Sequence, residues 1–255
     1  MNFLTTACTD IGTVKQTNQD SMCIKTAKCD MGNILMAVLC DGMGGLSKGE
    51  LASATVVRAF SLWFDESLPS LLSTFSSEII CSEWNRLIQG VNVKIQDYGR
   101  RNNASLGTTL TVALLIDSTC LIIGHVGDCR LYQINEGIQI LTEDQTVVMR
   151  DVRRGIISEE QAEMDPRKNV LLQCIGASAA VIPEFLACVP DAGCVYALCS
   201  DGFRHVITSQ EIFTSFLPDL LVSEEVMREK SEYLIALNKE RMERDNISVI
   251  LIRTY

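Results

Sequence analysis

The sequence predicts an α+β fold, mainly antiparallel, with helices covering the outer faces of more than one sheet. Three observations predict it. Short apolar runs rich in β-branched residues recur along the chain. Two of them are separated closely enough for a hairpin. The segments between the runs show apolar residues at helical spacing behind recognisable N-terminal caps.

The first strand is ILMAVLC (34–40). Behind it, Ser47 and Glu50 stand at the spacing of a capping box, and Ala52, Val56, Ala59, Phe60 and Trp63 fall on one helical face. A longer helix runs from about Ser82 to Tyr98, with Trp84, Leu87, Val91, Ile95 and Tyr98 three or four residues apart. TLTVALLI (109–116) and CLIIGHV (120–126) follow, with Asp117 and Ser118 as the hairpin turn, and then RLYQI (130–134). Ser158 with Gln161 marks a short helix, CVYALC (194–199) a further strand, and Thr208 with Glu211 another cap. A late helix covers roughly 223–243, and ISVILIR (247–253) closes the order. No internal repeat or low-complexity stretch interrupts it.

The chain has 255 residues and is 47% hydrophobic, enough for a sizeable core. No Pro-, Gly- or Ser-rich linker divides it, so residues 1–255 are expected to form one domain. A formal charge of -10 and a pI near 4.8 argue against nucleic acid or an anionic membrane as the main partner and suit cation binding. MNFLTTACTDIG has neither a basic n-region nor an apolar core of signal length, and no eighteen apolar residues run together, so a cytoplasmic location is expected. The eleven cysteines match no zinc-ligand spacing and are expected to be reduced thiols.

Acids stand where strands end. In LCDGMGGLSKGELAS (39–53) an apolar run stops on Asp41 and continues through Gly42, Gly44 and Gly45, residues suited to a positive φ or a close approach. Asp128 follows LIIGHVG, Asp201 follows YALCS, and Asp245 stands in RDN just before ISVILI. Any one of them is more often a turn former than a ligand. Four on one rim repel unless cations sit between them, and carboxylates without Cys or His select a hard ion, Mg²⁺ or Mn²⁺.

Eight segments then resemble, in order, the protein phosphatase 2C family of metal-dependent serine/threonine phosphatases in its compact bacterial form. They are GTVKQTNQDS (12–21), VLCDGMGGLSKGELAS (38–53), LGTTLTVALL (106–115), HVGDCRLYQI (125–134), LTEDQT (141–146), GIISEEQAEMDPRKNVLLQCIGAS (155–178), ALCSDGFRHVIT (197–208) and RDNISVILI (244–252). The resemblance implies a four-layer αββα sandwich of two antiparallel sheets, with a two-metal site at one edge. Asp41 would bridge two Mn²⁺ or Mg²⁺ ions, Gly42 would offer its carbonyl, and Asp201 and Asp245 would complete one shell. Asp128 with Asp201 would hold a weaker third ion, Asp20 would order metal-bound waters, and residues 147–170 would form a flap affecting substrate choice. The implied reaction is attack of a metal-bridging water on phosphoserine or phosphothreonine. The substrates would be proteins phosphorylated by a serine/threonine kinase, and the enzyme a monomer.

This chain departs from the family pattern in several places. Lys15 stands at the position of the phosphate-binding arginine, Gln19 replaces a glutamate that contacts metal through water, and Met43 and Gln145 replace histidines. Lys15 and Gln19 favour the alternative of a pseudophosphatase, a binding module without turnover; the complete acid set favours an enzyme. His125 is expected to be a packed strand residue, His205 a solvated turn residue, Cys129 a structural replacement for serine, and Arg167 and Lys168 solvated.

Overall fold

The computed structural model describes residues 1–43 and 48–255. Five strands, β1 (Phe3–Asp10), β6 (Arg130–Ile134), β7 (Ile138–Ile140), β9 (Val195–Cys199) and β10 (Ile247–Thr254), form one sheet in the order β1-β10-β9-β6-β7. The other sheet has the order β2-β3-β4-β5-β8, from β2 (Ser21–Cys29), β3 (Gly32–Cys40), β4 (Leu110–Ile116), β5 (Cys120–Val126) and β8 (Glu184–Cys188). Every pairing of named strands is antiparallel.

Alternation along the strands builds three apolar layers. Leu35, Ala37 and Leu39 of β3 face inward to meet Leu131, Tyr196, Leu198, Ile250 and Ile252 of the facing sheet. Ile34, Met36, Val38 and Cys40 point the other way, onto α1 (Gly49–Glu66) and α3 (Ser77–Asn102). There Trp84 stands edge-on to Phe60 and Trp63, with centroids 5.7 and 5.5 Å apart, which adds about 1 kcal/mol per pair beyond area burial. On the far face, α6 (Asp201–Arg204), α7 (Ser209–Ser215) and α8 (Glu224–Glu240) cover Val195, Ala197, Val249 and Leu251. The result is the expected αββα sandwich.

The six strands read from the sequence lie within a residue or two of their expected bounds, and the Asp117–Ser118 turn joins β4 to β5. β1, β2, β7 and β8 were not foreseen, nor was the short α2 (Leu68–Leu72). The helix expected from Ser82 begins five residues earlier, because Ser76 caps it by accepting from the Ile79 N–H. Both remaining capping boxes form, at Ser158/Gln161 and Thr208/Glu211. Ser47 of the first one, like Gly44 and Gly45, lies outside the described residues. The 147–170 segment holds α4 (Val147–Arg153) and α5 (Glu159–Met164). Among the described residues no helix is long and apolar enough to cross a membrane.

Candidate active site at one end of the sandwich

Antiparallel pairing decides where the acids meet. With Cys40 opposite Ser21, Val126 opposite Leu110, Cys199 opposite Val249 and Arg130, and Ile247 opposite Asp10, the ends of β3, β5 and β9 lie at the same end of the sandwich as the starts of β2, β6 and β10. Asp41, Asp128 and Asp201 leave those strand ends; Asp20 and Asp245 enter those starts.

The turn at Asp41 is held by its backbone. Its N–H donates to Thr109 Oγ1 at 2.9 Å, and its carbonyl accepts from the Thr109 N–H at 2.9 Å and from Thr108 Oγ1 at 2.8 Å. Gly42 N–H donates to the Gln19 carbonyl at 3.1 Å. A Cβ on Gly42 would lie 2.5 Å from that carbonyl oxygen and 2.6 Å from backbone atoms of Gly49, so the glycine serves close approach here.

The carboxylates feel one another. Asp41 is pushed well above the ordinary carboxylate range by burial and then by Asp20, Asp201 and Asp128, and it lies within hydrogen-bonding reach of Asp201. Burial lifts Asp20 to about 7 although Ser248 Oγ donates to its Oδ2 at 2.6 Å. Burial and Asp201 lift Asp128 to about 7. Burial acts on Asp201 in the same direction, but contacts with His205 and the Arg204 charge outweigh it and hold it low. Asp245 completes the cluster: Lys15 Nζ lies 2.7 Å from its Oδ1, and Lys15 stays cationic because Asp245, Asp41 and Asp201 outweigh the cost of its burial.

Other positions correct the sequence reading. His205 is no solvated turn residue. Its Nε2 lies 3.3 Å from Asp201 Oδ2 and its Nδ1 3.4 Å from Glu243 Oε2, and these contacts overcome burial to raise it to about 10. Arg167 is exposed yet paired, with Asp165 at 2.7 Å and Asp151 at 3.4 Å, whereas Lys168 is exposed as expected. Gln19 is buried and donates from Nε2 to Glu50 Oε2 at 3.3 Å, so its neutrality has a local partner. Gln145 accepts the Gly127 N–H at 2.9 Å and so braces the turn before Asp128.

His125 is the packed residue expected, between Thr111 Oγ1 at 3.0 Å and the Gly127 carbonyl at 3.0 Å, and burial lowers it to about 4. Cys129 is buried against Thr109, and desolvation raises its thiol well above the usual range, so it is not a ready nucleophile. Arg204 was missed altogether. It donates to the Asp128 carbonyl at 2.8 Å and to Asp144 at 3.1 Å, while Asp144 takes a bidentate pair of 2.9 Å bonds from Arg130. The adjacent letters of SDGFRH and EDQT carry no spacing that announces these contacts.

The donor set fits a hard cation. Five carboxylates crowd together, and Asp20 Oδ1 and Asp201 Oδ1 are buried without a protein partner. Among the described residues no group of three or more His, Cys, Asp or Glu side chains is placed to hold a metal ion as it stands. The carboxylates lean instead on Lys15, His205 and one another. The fit therefore rests on charge and donor type.

Comparison with known proteins bears on the same residues. The family profile described as Protein phosphatase 2C matches residues 12–234, which include Lys15, Asp20, Asp41, Asp128 and Asp201. Serine/threonine phosphatase stp of Listeria monocytogenes is 31% identical over 247 residues, covering 96% of this chain and 93% of its own. Protein phosphatase PhpP of Streptococcus pneumoniae is 30% identical over 248 residues, covering 96% and 94%. Among solved structures, the S. agalactiae serine/threonine phosphatase matches with a TM-score of 0.84 at 28% identity, covering 100% of both chains. The catalytic domain of PstP in complex with 2 manganese ions matches with a TM-score of 0.77 at 26% identity, covering 98% and 97%. The chain belongs to the protein phosphatase 2C family.

Proposed function

We propose that this phosphoprotein phosphatase works at the acid cluster, with Asp41, Asp201, Asp245 and the Gly42 carbonyl holding two divalent cations, Mn²⁺ or Mg²⁺. The carrying observation is the like-charged set at one end of the sandwich, two of whose oxygens lack any protein partner. Asp128 with Asp201 is assigned to a weaker third ion, and Asp20 to ordering bound water. When bound, the cations lower the pKa of water and neutralise phosphate charge.

The chain's own residues do the rest. Thr108 and Thr109 hold the Asp41 backbone, so that its carboxylate keeps one direction. Lys15, already aimed into the cluster, meets a phosphate oxygen as a point charge. The cysteine thiols beside the cluster, Cys40 and Cys129, are both pushed up by burial, which argues against a thiolate nucleophile there and is in keeping with attack by water. In this reading the leaving group takes its proton from water. Residues 147–170, with Ile156 and Met164 exposed, form the flap facing the substrate. The relatives named as serine/threonine phosphatases favour an enzyme over the pseudophosphatase alternative.

The substrates in this reading are proteins carrying phosphoserine or phosphothreonine placed by a serine/threonine kinase. One catalytic domain, residues 1–255, acts as a monomer in the cytoplasm, in keeping with eleven free thiols. Release of phosphate from a phosphothreonine peptide tests the reaction. Turnover is expected with Mn²⁺, absent after chelation, and restored by adding the ion back; turnover equal in both conditions would sink the metal assignment.

Lys15 gives a second check. Lys15→Ala is expected to raise KM for the phosphopeptide about tenfold, roughly 1.4 kcal/mol, because one charge-assisted bond to phosphate is lost. Lys15→Arg is expected to lower KM below the wild-type value through its planar fork. An unchanged KM in both variants removes Lys15 from the phosphate.

A further inference from the structure

We propose that His205 is a positioning residue that sets the spacing of Asp201 and Asp245, by bridging Asp201 to the turn that carries Asp245. The proposal rests on the reading that these two acids hold cations.

The contacts form a chain through three segments. His205 Nε2 faces Asp201 Oδ2 at 3.3 Å from one turn further along the 201–205 stretch. Nδ1 faces Glu243 Oε2 at 3.4 Å. Both are ion-pair distances, longer than a short hydrogen bond. Glu243 is buried, and its other oxygen, Oε1, accepts the backbone N–H groups of Arg244 and Asp245, each at 2.8 Å. The Glu243 carbonyl in turn accepts from Thr13 Oγ1 at 2.6 Å and from the Thr13 N–H at 3.3 Å. One imidazole therefore links the start of α6, the approach to β10 and the segment that presents Lys15.

An imidazole suits this place because its two nitrogens sit on opposite sides of a rigid ring, so each faces a different carboxylate. An amide side chain carries both of its N–H donors on one nitrogen, so it does not face two carboxylates from opposite sides. A lysine brings charge on a flexible stem without a fixed direction. Asp201 and Asp245 approach the cluster from different strands, β9 and β10, whose pairing stops at Cys199 and Val249. One further backbone bond, from the Ser200 N–H to the Ser248 carbonyl at 3.0 Å, ties the two segments, and beyond it the His205 contacts reach from Asp201 to Glu243, beside Asp245. Partners of metal ligands that act in this way typically contribute ten- to a hundredfold to metal affinity.

A packing role for His205 predicts something different: a less stable metal-free protein with unchanged cation affinity. Calorimetric titration of Mn²⁺ into the metal-free full chain separates the two. His205→Gln and Glu243→Gln, the latter keeping the Oε1 acceptor, are each expected to raise the Mn²⁺ dissociation constant about tenfold to a hundredfold. The double variant is expected to be no worse than the weaker single one, because both changes break one bridge. Unchanged affinity in both variants overturns the proposal, as do fully additive effects. Should His205→Gln not fold, Glu243→Gln decides by the same affinity criterion. Wild-type protein that binds no Mn²⁺ overturns the cation reading itself, an outcome distinct from wild-type binding that the variants leave untouched.

Discussion

Asp41→Asn is expected to abolish turnover and, in the same protein, to raise the melting temperature of the metal-free form. In the proposed reading Asp41 would help hold the cations, so its loss would remove charge that holds them and the activation they would give to water. A drop of about three orders of magnitude, roughly 4 kcal/mol of barrier, is expected. The stability gain has the opposite origin. Asp41 is pushed up by burial and by Asp20, Asp201 and Asp128, so without cations its charge opposes folding. An amide of the same shape relieves that repulsion by about 1 kcal/mol, or about 2–4 °C in a chain of this size. Asp20 and Asp128 give the pH dependence its sign. Each rises from the ordinary 3.8 to about 7, so the folded state binds the extra protons and the metal-free protein loses stability as pH climbs through that window. Calorimetric melting at several pH values, paired with phosphopeptide turnover, checks all three. An Asp41→Asn protein that is both inactive and less stable contradicts the electrostatic account.

Gly42→Ala is expected to cost about 3 kcal/mol and nearly all activity, although it only adds a methyl group. The new Cβ would meet the Gln19 carbonyl oxygen at 2.5 Å and the Gly49 carbonyl group at 2.6 Å, all of it backbone with no rotamer to move. Relief requires separating the Asp41 turn from either the β2 approach or the start of α1. Either shift breaks the Gly42 N–H bond to Gln19 and displaces the turn that carries Asp41. Chemical denaturation together with Mn²⁺ titration reads both effects. A stable Gly42→Ala protein with wild-type Mn²⁺ affinity would show that the turn yields without disturbing the site. Gly90, on the open surface of α3, is the control: its Cβ meets nothing within 4 Å, and Ala there suits a helix.

The six strands legible in the sequence are the six interior strands: β10, β9 and β6 of one sheet and β3, β4 and β5 of the other. Interior strands of a sandwich covered by helices bury both faces, so they appear as unbroken apolar runs such as LTVALLI. The four strands that escaped are the four sheet edges. β1, β2, β7 and β8 each pair with a single neighbour and leave residues to solvent, so FLTTACTD and SMCIKTAKC look like loop sequence. Asp41, Asp128, Asp201 and Asp245 were legible for a related reason: each interrupts or adjoins an apolar run, and a charge at such a boundary stands out along one dimension. His205, Glu243, Arg204, Asp144 and Glu50 adjoin no such boundary, and they meet groups of other elements, as Arg204 meets Asp144 and Glu50 meets Gln19. Linear periodicity reports which face of an element is buried. Which polar side chains meet across elements follows from the strand order and register, and this is why the acids could be read from the chain while the groups that hold them required the fold.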